Sequence, residues 1–98
     1  MYARIGTFDA APSRLEEVVS LFRGPIFHEF SRHSGFMGYQ AYVDRARGRF
    51  VGLSLWATRA DLEASSETAT KARQRAAELG AVTVGEPQIV ELAFDAQV

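Results

Sequence analysis

Four segments crowded with β-branched and aromatic residues divide the chain: Tyr2 to Phe8, Phe36 to Asp44, Arg49 to Ala57 and Gln88 to Phe94. Each reads as a strand. Between the first two, Leu15, Val18, Val19, Phe22 and Ile26 recur at helical spacing, behind a turn at Asp9-Ala10-Ala11-Pro12. Ser13-Arg14-Leu15-Glu16 has the spacing of a capping box for that helix. Gly24-Pro25 should kink or break it, because proline lacks an N–H and crowds the preceding turn. A second helical piece then runs from Ile26 to Arg32, ended by His33-Ser34-Gly35.

Arg45-Ala46-Arg47-Gly48 reads as a hairpin turn between the second and third strands. The third strand ends on the only tryptophan, Trp56, and passes almost directly into a second helix capped by Thr58. Asp61 favours the positive end of that helix, which runs to about Leu79 with Gly80 as its expected C′ residue. The order is β-α-β-β-α-β, the ferredoxin-like arrangement of an α+β domain with a four-stranded antiparallel sheet. With no linker or repeat, residues 1–98 are expected to form one domain.

A hairpin turn centred on Ala46-Arg47 sets the register. One sheet face receives Met37, Tyr39, Ala41, Val43, Phe50, Gly52, Ser54 and Trp56; the other receives Phe36, Gly38, Gln40, Tyr42, Val51, Leu53 and Leu55. Both faces are largely apolar, while two helices cover only one. A homodimer with sheets packed face to face is therefore expected. On the second helix, Leu62, Ser65, Ser66, Ala69, Ala72, Arg73 and Ala76 share one arc. Such small residues over Ala41, Gly52 and Ser54 mean either close packing of helix on sheet or a cavity.

Composition narrows the classes of function. The 98 residues are 47% hydrophobic and 23% charged, with net charge −1 and no cysteine. Disulfides, thiolate metal sites and cysteine nucleophiles are excluded. The near-neutral charge gives no long-range attraction for nucleic acid or anionic lipid. The apolar runs are too short to span a bilayer, and Met1-Tyr2-Ala3-Arg4 carries no signal-peptide core, so a cytoplasmic location is expected.

The element order, the Ser34-Gly35-Phe36-Met37-Gly38 lead into the second strand, and Leu55-Trp56-Ala57-Thr58-Arg59-Ala60-Asp61-Leu62 resemble the antibiotic biosynthesis monooxygenase family over essentially the whole chain. The resemblance implies a dimeric α/β barrel whose pocket lies between the sheet and helices of each protomer. It implies oxidation of phenols or quinols by O2 without flavin, metal or other cofactor. The haem-degrading branch uses an asparagine, and a tryptophan and a histidine on the second helix. This chain has no asparagine, reads Ala64-Ser65-Ser66-Glu67 in the corresponding stretch, and has no histidine in that helix. Haem degradation by that route is not expected, and some phenol oxidisers use asparagine too.

Candidate site residues follow from the register and the resemblance together. Trp56 either walls a ligand cavity or fills core with its N–H bonded to a neighbour. Tyr39, Ser54 and Met37 face it as candidate substrate contacts. Arg73 either stabilises negative charge or lays its stem over apolar surface with its head in water. His28 is the candidate base, with His33 as competitor. His28, Glu29 and His33 lack the spacing of a helical zinc site, and no metal is expected. Arg45, Arg47 and Arg49 form a basic hairpin tip without aromatic interleaving. Two functions remain: a cofactor-independent monooxygenase of a small aromatic or quinol-type molecule, or a non-catalytic dimeric small-ligand-binding or stress-related module.

Overall fold

The computed structural model describes all of residues 1–98. Strand β1 (Tyr2–Asp9) leads through a 3-10 turn at Pro12–Arg14 into helix α1 (Leu15–Leu21). A π-helical turn at Phe22–Ile26 joins α1 to α2 (Phe27–Ser31). Strands β2 (Phe36–Asp44) and β3 (Arg49–Trp56) form the hairpin. Helices α3 (Arg59–Ala64) and α4 (Ser66–Glu78) follow, then the short strands β4 (Val82–Thr83) and β5 (Gln88–Glu91). The antiparallel sheet has the order β2-β3-β1-β4, with β5 also paired to β1. This is the ferredoxin-like order, with its last strand divided.

Several local rules hold as expected. Thr58 caps α3, its Oγ1 accepting the Asp61 N–H at 3.1 Å. At the end of α4 the Gly80 N–H donates to the Ala77 carbonyl (2.9 Å) and the Ala81 N–H to the Ala76 carbonyl (3.1 Å). This paired closure needs a left-handed residue, and Gly80 has φ +83°. Of the kink or break expected at Gly24-Pro25 the structure shows a local distortion and no break: the widened π turn accommodates the missing N–H, and the backbone continues into α2.

Four expectations need correction. Ser13 does not cap α1; Pro12 draws the chain into a 3-10 turn and Arg14 occupies the cap position without a side-chain bond. The second helix is broken at Ser65 (φ −90°, ψ 4°) rather than continuous. The last strand is divided because its register slips by two residues: Thr83 lies opposite Phe8, but Gln88 opposite Ile5. Pro87, which cannot donate to the ladder, falls in that slip.

The fourth correction concerns the face of β2. From Asp44 opposite Arg49 to Gly38 opposite Leu55 the register is as expected. A bulge then sets Phe36, not Met37, opposite Trp56. The extra residue exchanges the faces. Phe36 turns inward, its ring 5.2 Å from that of Trp56, and Met37 is left 55% exposed on the far side.

The core lies between the inner sheet face and the helices. Phe8, Leu15, Val18, Phe22, Ile26, Phe30, Phe50, Trp56 and Leu62 are its large buried members, and Ala69, Ala72 and Ala76 supply the α4 face. No helix is long and apolar enough to cross a membrane.

Candidate functional site

Two hollows meet at one pair of aromatic rings. An inner cavity of about 30 Å3 lies between sheet and α4, lined by Arg4, Phe22, Phe30, Tyr39, Ser54, Ala72 and Arg73 among others. An outer cleft of about 510 Å3 is lined by Val19, Phe22, Arg23, Phe27, Tyr39 and Ala41. Phe22 and Tyr39 belong to both linings, and their rings stack 5.9 Å apart at 29°. The pair is thus a wall between the hollows.

Tyr39 can stand there because of the residue beside it. A β-carbon at Gly52 would run into the Tyr39 hydroxyl and crowd its ring. Glycine on β3 therefore makes room for the phenol on β2. The Tyr39 ring also stacks with that of Phe30, 6.1 Å away at 20°. Burial raises the Tyr39 pKa well above its ordinary value, so this phenol stays protonated at neutral pH. No hydrogen bond to the protein engages its hydroxyl, and since no sealed-off polar side-chain atom lacks a partner, that oxygen is accessible from outside.

Arg4 is the residue the sequence reading missed. It projects from the inner face of β1, where Tyr2, Arg4, Gly6 and Phe8 lie opposite Trp56, Ser54, Gly52 and Phe50. Its guanidinium is buried and donates to the Ser65 Oγ (2.9 Å), the Leu62 carbonyl (2.8 Å) and the Ser66 Oγ (3.3 Å). The Leu62 carbonyl also accepts from the Ser65 hydroxyl at 2.6 Å. Diverted in this way, that carbonyl no longer propagates the helix, and α3 ends.

No carboxylate pairs with Arg4, nor with Arg73, whose Nη2 donates to the Thr70 Oγ1 at 3.1 Å. Burial, and secondarily the positive charge of Arg73, lower the Arg4 pKa. Arginine nonetheless remains charged at any physiological pH. The lining of the inner cavity therefore includes two arginines, one neutral phenol and no anionic side chain, the Arg4 head being held at the α3–α4 junction and the Arg73 head at the exposed Thr70. Alternation along β1 was the available signal: a single arginine at inward positions otherwise occupied by Tyr2, Gly6 and Phe8.

The other candidates are scattered. Trp56 is fully buried behind the cavity and absent from its lining; its indole N–H donates to the Ser54 Oγ at 2.9 Å. Ser54 does line the cavity, but its oxygen is engaged with that indole. Met37 faces away for the reason given above. His28 is exposed on α2 and lines neither hollow. His33 is half-buried, with Nε2 2.8 Å from the Thr68 Oγ1 and its ring edge-on to Trp56. The structure thus brings Tyr39, Ser54 and Arg73 together and leaves Trp56, Met37 and His28 outside. No three His, Asp or Glu side chains converge to hold a metal ion.

The sequence profile of antibiotic biosynthesis monooxygenases matches residues 1–78. The chain belongs to that family. An uncharacterised Mycobacterium tuberculosis protein, Rv2557, is 30% identical over 79 residues, which are 81% of this chain and 35% of that protein. The chain thus matches only about a third of this relative's length. Among solved structures, a proposed antibiotic biosynthesis monooxygenase of Deinococcus radiodurans superposes with a TM-score of 0.72 at 16% identity, covering 100% of this chain and 98% of the other. SnoaB, a cofactor-independent oxygenase from Streptomyces nogalater, gives 0.65 at 15% identity, covering 96% and 94%. At such identities these two likenesses establish the fold alone. The positions of Arg4, Tyr39 and Arg73 rest on this chain's own geometry.

Proposed function

We propose that this member of the family is a cytoplasmic, cofactor-independent monooxygenase that oxidises a small electron-rich phenol or quinol with O2. The observation that carries the reading is the inner cavity, where Arg4 and Arg73 stand without any carboxylate beside the free hydroxyl of Tyr39. A phenol that has released its proton to water passes one electron to O2, giving a phenoxyl radical and superoxide. Their recombination forms a C–O bond, protonation gives a hydroperoxide, and loss of water across the former C–H leaves a carbonyl. Negative charge moves from the ring oxygen onto dioxygen during these steps. Fixed cations at that spot stabilise it without reorganisation. The similarity to SnoaB is in keeping with this chemistry.

A second reading keeps the pocket without the chemistry: a dimeric small-ligand-binding or stress-related module. It is favoured by one observation, that no histidine, aspartate or glutamate lines either hollow and so no general base faces a bound ligand. Oxygen-electrode measurements with a panel of quinols and anthrone-like phenols separate the two. Turnover that falls about 100-fold in Arg73→Ala, the scale of losing one charge-stabilising donor, supports the enzyme. Tight binding without O2 uptake by any substrate supports the module.

The same proposal includes a homodimer formed through the outer sheet face. Met37, Tyr42, Val90, Leu92 and Phe94 are exposed hydrophobics on that face or on the tail beside it, with Phe94 80% exposed. Val51, Leu53 and Leu55 lie half-buried between them. Sedimentation at micromolar concentration is expected to give a dimer, and Leu53→Glu a monomer. A wild-type monomer would sink this part of the proposal.

A further inference from the structure

The last strand carries two residues more than its pairing with β1 can use. Thr83 lies opposite Phe8 and Gln88 opposite Ile5, so residues 84–87 pass only Gly6 and Thr7. A surplus of two preserves the alternation of faces, where a surplus of one would invert it. Thr83 and Pro87 accordingly both line the inner cavity, one from each side of the slip. The Val84 N–H donates to the Thr7 carbonyl at 2.8 Å, but Gly85, Glu86 and Pro87 make no backbone hydrogen bond. Gly85 stands at φ +67°, and a β-carbon there would meet nothing within 4 Å. Beside this strap the inner sheet face is bare, because Gly6 pairs with Gly52 across β1 and β3. Pro87 alone of the lining residues lies outside a helix or strand. At about 30 Å3 the cavity has room for a water molecule and none for an aromatic ring.

We propose that residues 84–87 are a gate: the strap swings outward on Gly85, withdraws Pro87 from the cavity, and opens the hollow at the sheet edge beside Gly6. The inference rests on the reading of this hollow as a reaction site and adds how it is entered. Movement here breaks little. Pairing with β1 is intact on both sides, at Val82, Thr83 and Val84 and again from Gln88 onward, so neither half of the strand is pulled away. Gly85 and Glu86 are exposed, and only the half-buried contact of Pro87 is given up. Few buried contacts and no backbone bonds are the marks of a segment that opens locally at small cost. Widening the hollow elsewhere would lift Ala69, Ala72 and Ala76 of α4 from the sheet, or unstack Tyr39 from Phe22 and Phe30, and both belong to the packed core. The surplus pair of residues thus gives the cavity one yielding wall among rigid ones.

The chain has no cysteine, so one introduced thiol reports access to the cavity. Ala72→Cys places it in the lining; Ala76→Cys places one on the same buried face of α4 but outside the lining. Each full chain is labelled with methyl methanethiosulfonate under native conditions and followed by mass spectrometry. Removal of Gly85 and Glu86 leaves two residues facing two, Val84 opposite Thr7 and Pro87 opposite Gly6, and closes the ladder. Proline is tolerated at that register, because the N–H it lacks would point away from β1 at the sheet edge. The deletion should slow labelling of Ala72→Cys at least tenfold and leave Ala76→Cys within twofold. Pro87→Ala, which removes the plug and loosens the strap, should quicken labelling of Ala72→Cys at least threefold, again with Ala76→Cys unchanged. If the deletion lowers the melting temperature, the Pro87→Ala comparison decides alone. Unaltered labelling of Ala72→Cys in Pro87→Ala, or equal changes at both thiols, would overturn the gate and make breathing of α4 the route of access. No substrate enters the measurement, so gated labelling in a chain that oxidises nothing would sink the proposed oxidation and leave the gate standing.

Discussion

Replacing Arg4 by methionine separates a structural arginine from a functional one. In the fold, the guanidinium makes two good hydrogen bonds, to Leu62 and Ser65, and a longer one to Ser66. Hydrogen bonds to a charged group are worth about 1.5–3 kcal/mol each, so the two good ones stabilise by about 3–6 kcal/mol. Against this stands the burial of a cation with no counter-charge, which costs several kcal/mol, and repulsion from Arg73. The partners are not orphaned by the change, because the Ser65 and Ser66 hydroxyls still donate to the Leu62 and Glu63 carbonyls. Methionine fills a similar volume with a flexible apolar chain. The opposing contributions are of equal size, and Arg4→Met is expected to lie within about 1 kcal/mol of wild type in urea unfolding. Oxidation of an anthrone-like phenol should nevertheless fall about 100-fold, as when one fixed donor to a developing anion is removed. A loss of stability beyond about 3 kcal/mol, the scale of breaking a buried charge network, would refute this reasoning and make Arg4 a structural strut. So would unaltered turnover in an enzyme shown to be active.

Gly52→Ala drives a β-carbon into the Tyr39 phenol and should cost about 1–3 kcal/mol, the range for an overpacked core. Tyr39→Phe in the same chain should recover part of that loss, measured as a double-mutant cycle in urea. Because burial raises the Tyr39 pKa, the folded chain retains this proton where the unfolded chain releases it. Stability should then fall as pH rises above about 10, and the fall should disappear in Tyr39→Phe. Asp9 behaves in the opposite sense: the hydrogen bond from Arg49 Nε, 2.8 Å away, holds its carboxyl below the ordinary value. Its contribution is present above about pH 4 and is lost as pH falls through the depressed pKa, so the difference in melting temperature between wild type and Asp9→Asn should vanish in acid.

The element order, the hairpin and the helix termini were legible in the chain because they depend on neighbours. The turn at Arg45-Ala46-Arg47-Gly48 determines the pairing from Asp44 to Gly38, and Thr58 and Gly80 mark helix ends through bonds reaching no more than a few residues. The small face of α4 was equally legible from helical periodicity, and so was a hollow beneath it as one of two outcomes. The contents of the hollow were not. One extra residue at the β2 bulge exchanged Phe36 for Met37, and periodicity cannot register an insertion that it has not been shown. Trp56 withdrew into core because its N–H found Ser54, and Arg4 entered because Leu62, Ser65 and Ser66 wait 58 to 62 residues away. Sequence alone determined the order of the elements and the pairing of the hairpin, but not the breaks and the bulge within them. Only the tertiary structure decided which polar groups enter between the packed faces and what they bond, because a buried charge is assigned its partners by distant segments that adjoin it only after folding.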